Sequence, residues 1–323
     1  MILTITPNPM LDKTIWLSHF EKGQVHRSER IKQVAGGKGL NVSRALVGLN
    51  EATVATGFLG GWTGQVIRRL LDEQTIPHHF IETAATTREG FTFVDEASGE
   101  RTAVFEPGSQ LLAREVDALK QFVQEQLPNC RGLALCGSMP CAGFDNLYAD
   151  LIKMARAANV PVFLDSYLEP LKMGLAAGPQ FLKPNREEAL NTFGIDMRTS
   201  EGAQSLLQLL AHSGAQCIFL TDAQHPVRVR YHKVDYVLTP PEIDCTNPLG
   251  GGDVLVAAFL YGWLHEMEDE ELLRFAVAAG TVNAMHEMPG YAEIEEINDM
   301  MKRVELERGL PLAGDKSKNR ITR

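Results

Sequence analysis

Cysteine is scarce in this chain of 323 residues: there are five, an odd number, and no C-x-x-C pair. That excludes a disulfide framework and a cysteine-built zinc site, and it points to a reduced, cytoplasmic protein. Positive charge is in deficit. A net charge of −10 excludes the basic surface that nucleic-acid binding requires, although a small anion responds to local charge and not to the total. No apolar run reaches the length of a membrane span. The opening MILTITPNPM is interrupted too soon by Pro7 and Pro9 to read as a secretory leader. Two nucleotide fingerprints are also missing. After Gly37 and Gly39 the third position of G-x-G-x-x-G holds Val42, which argues against a nicotinamide oxidoreductase. Lys38 lacks the Ser or Thr and the glycine spacing of a Walker loop.

Apolar residues, by contrast, make up 44% of the chain, enough for a sizeable core. Short apolar runs at 52–60, 132–137, 161–166 and 217–222 read as buried strands. Helical spacing at 146–159 and 203–214 lies between them. This alternation predicts a parallel sheet covered on both faces. Segments 25–34 and 90–107 break the rhythm and look antiparallel, the second with EASGE as a hairpin turn. They predict a β lid over 11–35 and 88–107, set on a core of 1–10, 36–87 and 108–310. Helices are expected over 270–286 and 293–308, and a disordered polar tail over 311–323.

Chemistry concentrates in two glycine-rich turns. In TNPLGGGD, Gly250, Gly251 and Gly252 precede an apolar helical run. Glycine lets another group approach the backbone, and a helix start offers unpaired N–H groups and partial positive charge. The three glycines thus read as an anion cradle, with Asp253 as a general base for a hydroxyl attacking phosphorus. An aspartate there can also simply cap the helix. The helix dipole is expected to keep it ionised. In AGGKGLN, Gly37, Lys38 and Asn41 open a second helix, with Lys38 as a point charge for a phosphate. A plain strand-to-helix turn with a solvated lysine is the competing reading.

Taken together, TPNPMLDKT (6–14), AGGKGLNVSRAL (35–46), GFLGGWTG (57–64), CGSMP (136–140), LKPNREE (182–188) and TNPLGGGD (246–253) resemble the PfkB branch of the ribokinase-like sugar kinases. The likeness runs to about residue 305, closest to the tagatose-6-phosphate kinase and 1-phosphofructokinase group. It implies a three-layer α/β/α core with a small β-sheet lid, ATP as donor and Mg²⁺ as counter-ion. By position it implies Asp253 as base, Gly250 to Gly252 as anion hole, and Asp12, Gly37, Lys38, Asn41, Arg88 and Arg27 at the sugar phosphate. It places Lys183, Asn185, Thr221 and Asn283 at the nucleotide, with Asn185 and Glu188 organising magnesium. Exposed lid edges could pair two copies into a homodimer.

One stretch departs from that pattern. Where relatives carry S-x-G-x-x-G, this chain has Thr221-Asp222-Ala223-Gln224-His225-Pro226, with both glycines replaced. Two readings follow: an ATP-dependent kinase of tagatose 6-phosphate or fructose 1-phosphate, or a sugar-phosphate sensor with impaired nucleotide binding.

Overall fold

The structure is a computed structural model and describes residues 1–309; the tail expected at 311–323 lies outside the described residues. From the N-terminus, β1 (Ile2–Thr6) opens a large sheet, and β2 (Met10–Leu17) and β3 (Arg30–Gly36) depart to a small one. The chain returns through α1 (Lys38–Gly48), β4 (Thr53–Leu59), α2 (Gly61–Glu73) and β5 (His78–Glu82). The small sheet is completed by β6 (Glu89–Asp95) and β7 (Arg101–Phe105). Alternation then resumes with α3 (Ala113–Gln126), β8 (Gly132–Cys136), α4 (Leu147–Ala157), β9 (Val162–Asp165) and α5 (Leu168–Ala177). It continues through β10 (Phe181–Leu182), α6 (Arg186–Phe193), α7 (Ser200–Ala211) and β11 (Cys217–Leu220). A hairpin of β12 (Val227–Tyr231) and β13 (Val234–Thr239) precedes α8 (Gly251–Leu264), α9 (Asp269–Met285), α10 (Ile294–Met301) and β14 (Glu305–Arg308).

Among the described residues the large sheet has ten strands, ordered β14-β13-β12-β11-β10-β9-β8-β1-β4-β5. Seven strands, β5 to β11 in that order, pair in parallel, as the strand–helix rhythm predicts. The fully parallel sheet expected from sequence needs one correction: β12, β13 and β14 join antiparallel at one edge. Antiparallel neighbours need only a tight turn, so no helix separates them. The helix expected over 293–308 is also corrected. It stops at Met301, and the polar segment Glu305–Arg308 becomes an edge strand on β13.

Side chains alternate between the faces of the sheet. Leu133 and Leu135 on β8 join the core under α3 to α7, while Ala134 and Cys136 join the core under α8 to α10. Helix α8 is apolar nearly all round because it runs between sheet and α9. Its Phe259 makes edge-on contacts with Phe163, Phe181, Phe219 and Tyr231.

The small sheet has the order β3-β2-β6-β7. β2–β3 and β6–β7 are antiparallel, but β2 and β6 run parallel. Asp95 Oδ1 accepts from the backbone of Ala97 and Ser98, and Gly99 takes a φ of 75°, so the EASGE segment turns as its composition requires. β1 lies mid-sheet, with β4 and β5 on one side and β8 to β11 on the other. The chain reverses its direction of travel across the sheet there, which opens a crevice at the carboxyl ends of the strands.

Candidate active site

That crevice is where the two glycine-rich turns meet. Gly37 caps α1 with a φ of 141°, and Gly250 caps α8 with a φ of 85°, both backbone conformations that favour glycine. Gly252 has a different reason to lack a side chain: a Cβ there would lie 3.0 Å from Lys183 Nζ. Asp253 follows in the first turn of α8 and is buried. Asn41, in the first turn of α1, donates from Nδ2 to Asp253 Oδ2 at 2.8 Å. A single hydrogen bond thus joins the two motifs across 212 residues of sequence.

Beside this pair lies a buried charge cluster. Asp165 ends β9 with no solvent exposure. Lys38 Nζ donates to Asp165 Oδ1 at 2.8 Å and also to Glu188 Oε1. Lys183 Nζ pairs with Asp165 Oδ2 at 3.1 Å. Burial alone would raise the Asp165 carboxyl, but the ammoniums of Lys183 and Lys38 outweigh it and hold it below the ordinary range. Burial would lower Lys38, yet Asp165, Glu188 and Asp253 lift it well above the usual lysine value. Lys38 therefore stays charged, though two carboxylates already occupy it. The ionisation of Asp253 is less simple than its dipole suggests. Burial, then the Asp165 charge, push its carboxyl up to about 6, against the opposing pull of Lys38, Lys183 and the Asn41 amide. Desolvation outweighs the helix start here, and the group is poised near neutrality.

Asn185 and Glu188 form a capping box at the start of α6: Asn185 Oδ1 accepts from the Glu188 N–H, and Glu188 Oε2 from the Asn185 N–H, each at 2.9 Å. The N-x-x-E spacing thus has a structural meaning missed in the sequence. Each oxygen keeps a lone pair, and Mg²⁺ needs only one or two protein groups besides water and phosphate, so the pair still fits such an ion. Thr221 bridges to Asn185 at the end of β11 and accepts the Arg186 N–H at 2.9 Å. Asn283 is fully buried and faces backbone. Its amide donates to Leu249 O at 2.9 Å and accepts from the N–H groups of Gly290 and Tyr291. That geometry makes it a brace for the turn entering Gly250.

At the root of the small sheet, Asp12 Oδ1 is buried without a donor, and burial raises its carboxyl. Arg88 Nε is likewise buried without an acceptor, while the rest of its fork reaches Asn8 O and Glu106 O. Arg88 lines a cavity of about 340 Å³ with Thr86, Glu106 and Ser109. An unmet buried donor costs about 1–3 kcal/mol, and a phosphate oxygen would relieve it. Arg27, by contrast, is exposed in the segment between β2 and β3, and no hydrogen bond or ion pair ties it to the others.

A carboxylate beside a glycine-rich helix start, with lysines alongside, is equipment for moving a phosphoryl group. The model of the pfkB family carbohydrate kinases matches residues 6–294. The chain belongs to that family. As a pfkB-family carbohydrate kinase, it is 29% identical over 310 residues to a tagatose-6-phosphate kinase of Staphylococcus epidermidis, covering 95% of this chain and 99% of that protein. A possible 1-phosphofructokinase of Thermotoga maritima superposes with a TM-score of 0.88 at 26% identity, covering 96% and 100% of the two chains. Phosphofructokinase-2 of Escherichia coli shares the fold, with a TM-score of 0.84 at 24% identity and 94% and 98% coverage. The three-layer core and second sheet expected from sequence are therefore those of the family. Sequence reasoning gave no role to two buried charges at this site, Asp165 and Arg44. Asp165 left a faint signal, a carboxylate closing the apolar run PVFLD; Arg44 left none, because Gln74 and Pro289, two of its four partners, come to it only through the fold.

Proposed function

We propose that this pfkB-family kinase phosphorylates a ketohexose phosphate, tagatose 6-phosphate or fructose 1-phosphate, at the expense of ATP. One observation carries the reading: Asp253 is buried at a glycine-built helix start and tethered to the other glycine-rich turn by Asn41. Asp253 takes the proton from the attacking sugar hydroxyl; the freed oxygen bonds to the γ-phosphorus as the bond to the ADP oxygen breaks. The amides of Gly250 to Gly252 meet the charge on the transferring oxygens. Lys38 and Lys183 stand by as fixed cations, Lys38 passing from its carboxylate partners to phosphate oxygens. Gly37, Asp12 and Asn41 hold sugar hydroxyls, and the free Arg88 Nε meets the phosphate already on the substrate, with Arg27 arriving only if its loop folds inward. Lys183, Asn185 and Thr221 line the nucleotide side, braced by Asn283. When bound, Mg²⁺ beside Asn185 and Glu188 neutralises phosphate charge.

The small sheet acts as a lid that excludes water, the competing acceptor. Its register puts Ile31, Ile15 and Phe93, and next to them Phe91 and Val104, on one face. Ile31 and Val104 are 58% and 55% exposed. That largely apolar face, which also carries Lys13 and Gln33, supports a homodimer formed lid to lid.

The test is sugar-dependent ADP release. Wild-type protein with Mg·ATP should convert one of the two sugars, and Asp253→Asn should lose roughly 10²–10⁴-fold in kcat while still binding sugar phosphate. The altered 221–226 segment favours a second reading, a sugar-phosphate sensor. Calorimetric sugar binding with no ADP release from wild type would establish that reading instead.

A further inference from the structure

Arg44 is a buried guanidinium with no carboxylate against it among the described residues. Taking such a charge from water costs several kcal/mol unless it is well bonded. Four polar contacts hold it: Nε donates to Gln74 Oε1 at 2.7 Å, Nη2 to Ala35 O at 2.9 Å, and Nη1 to both Pro289 O and Asn41 Oδ1 at 2.8 Å. Burial lowers its pKa, but only to about 10, so it remains a cation at neutral pH.

Asn41 and Ala35 are close to Arg44 in sequence, whereas Gln74 and Pro289 reach it only through the fold. Ala35 immediately precedes Gly36 and Gly37. Pro289 packs where a side chain on Gly250 would sit, with its Cβ 3.0 Å from that position. A Cβ on Gly290 would crowd Asn41 O at 2.8 Å and Arg44 Cβ at 3.1 Å, so glycine lets this turn lie flat against α1. Arg44 stands behind both glycine-rich turns.

The contact to Asn41 has a chemical consequence. An asparagine amide has nearly the same shape in either orientation, and only its hydrogen bonds distinguish them. Arg44 can donate but not accept, so it admits Oδ1 and turns Nδ2 toward Asp253. The flipped amide would set its oxygen against the Asp253 carboxylate and its NH2 against the Arg44 donor.

We propose that Arg44 is a positioning residue for phosphoryl transfer: it locks the Asn41 amide so that Nδ2 holds Asp253 Oδ2 and leaves Oδ1 for the acceptor hydroxyl. The proposal rests on Asp253 being the base. The other charges facing that carboxylate are Asp165, Lys38 and Lys183, and none of them touches the Asn41 amide oxygen.

A double-mutant cycle on the full-length enzyme tests it. Arg44→Met should lower kcat by roughly tenfold or more, with KM for both substrates within about threefold. Its acid limb should move to higher pH, because the base loses a donor. Asn41→Ala should reproduce both changes and, because Asn41 also holds a sugar hydroxyl, raise KM for the sugar; Arg44→Met added to Asn41→Ala should cost nothing further in kcat. Losses that multiply, with the acid limb unmoved by Arg44→Met, would overturn the positioning role and leave a purely structural one. If Arg44→Met does not fold, Arg44→Lys runs the same cycle, since it keeps charge and length but not the fork. Failure of the base reading looks different: Asp253→Asn would then keep its turnover, whatever Arg44 does.

Discussion

Ala223 turns the corner between β11 and β12 with a φ of 48°. An L side chain in that left-handed conformation costs roughly 1–2 kcal/mol. Pro226 is better placed. It precedes the first paired residue of β12, so the ladder asks it for no donor. The backbone keeps a course suited to glycine while carrying a methyl group. Ala223→Gly is therefore expected to raise stability by about 1 kcal/mol in denaturant melts and to lower KM for ATP without changing KM for the sugar. An unchanged melting midpoint would show that the turn carries no strain. Asp253 yields a second outcome at this scale. Its folded pKa of about 6 lies above the ordinary 3.8, so the folded state holds the proton more tightly. Stability then falls as pH rises from about 4 to 6 and stays lowered above that, by on the order of 3 kcal/mol. Asp253→Asn should consequently melt above wild type at pH 8, with the gap closing near pH 4. Wild-type kcat should fall as pH drops below about 6, because the base is then protonated.

Glycines stacked before an apolar run mark a helix start, and Gly37 and Gly250 do cap α1 and α8 as that pattern predicts. The parallel strands could also be read from sequence: runs such as GLALC and CIFL are buried on both faces and have no polar alternation to confuse them. Element β14 could not. ELER has no apolar period, and its strand exists because β13 offers an open edge. Charge partnerships were equally hidden. Lys38 reads as a free cation until β9 brings Asp165 to it, and the capping box that Asn185 and Glu188 form at the start of α6 is likewise invisible in the sequence. At the level of elements, α8 links the aromatic core to Asp253. Phe259 sits two turns along the helix from Asp253, wedged among four aromatic rings. Phe259→Ala should cost about 3–5 kcal/mol in denaturant unfolding, and kcat should fall with it as the helix start shifts. A loss below about 1 kcal/mol would mean the core closes over the gap.

Across the molecule, the far end of the lid is held against the core. Arg30 donates to Glu287 Oε1 at 2.7 Å, and Arg101 to Thr246 O at 2.8 Å, shortly before the glycines. The opposite, apolar face of the lid remains open. Ile31→Asp with Val104→Asp should convert a dimer to monomers in sedimentation velocity; wild-type protein that is already monomeric at micromolar concentration would dismiss the lid-to-lid arrangement. The core offers no comparable freedom. A Cβ on Gly251 would come within 3.0 Å of the Gly280 carbonyl, and one on Gly280 within 2.8 Å of the Gly251 carbonyl. Helices α8 and α9 are thus packed backbone to backbone at the start of α8. That packing leaves the start of α8 no room to shift toward α9, so on the proposed reading a sugar of another shape has to be accommodated by the small sheet above it. Re-tailoring for new acceptors would then be a matter of rebuilding β2, β3, β6 and β7 and leaving the contact between α8 and α9 alone.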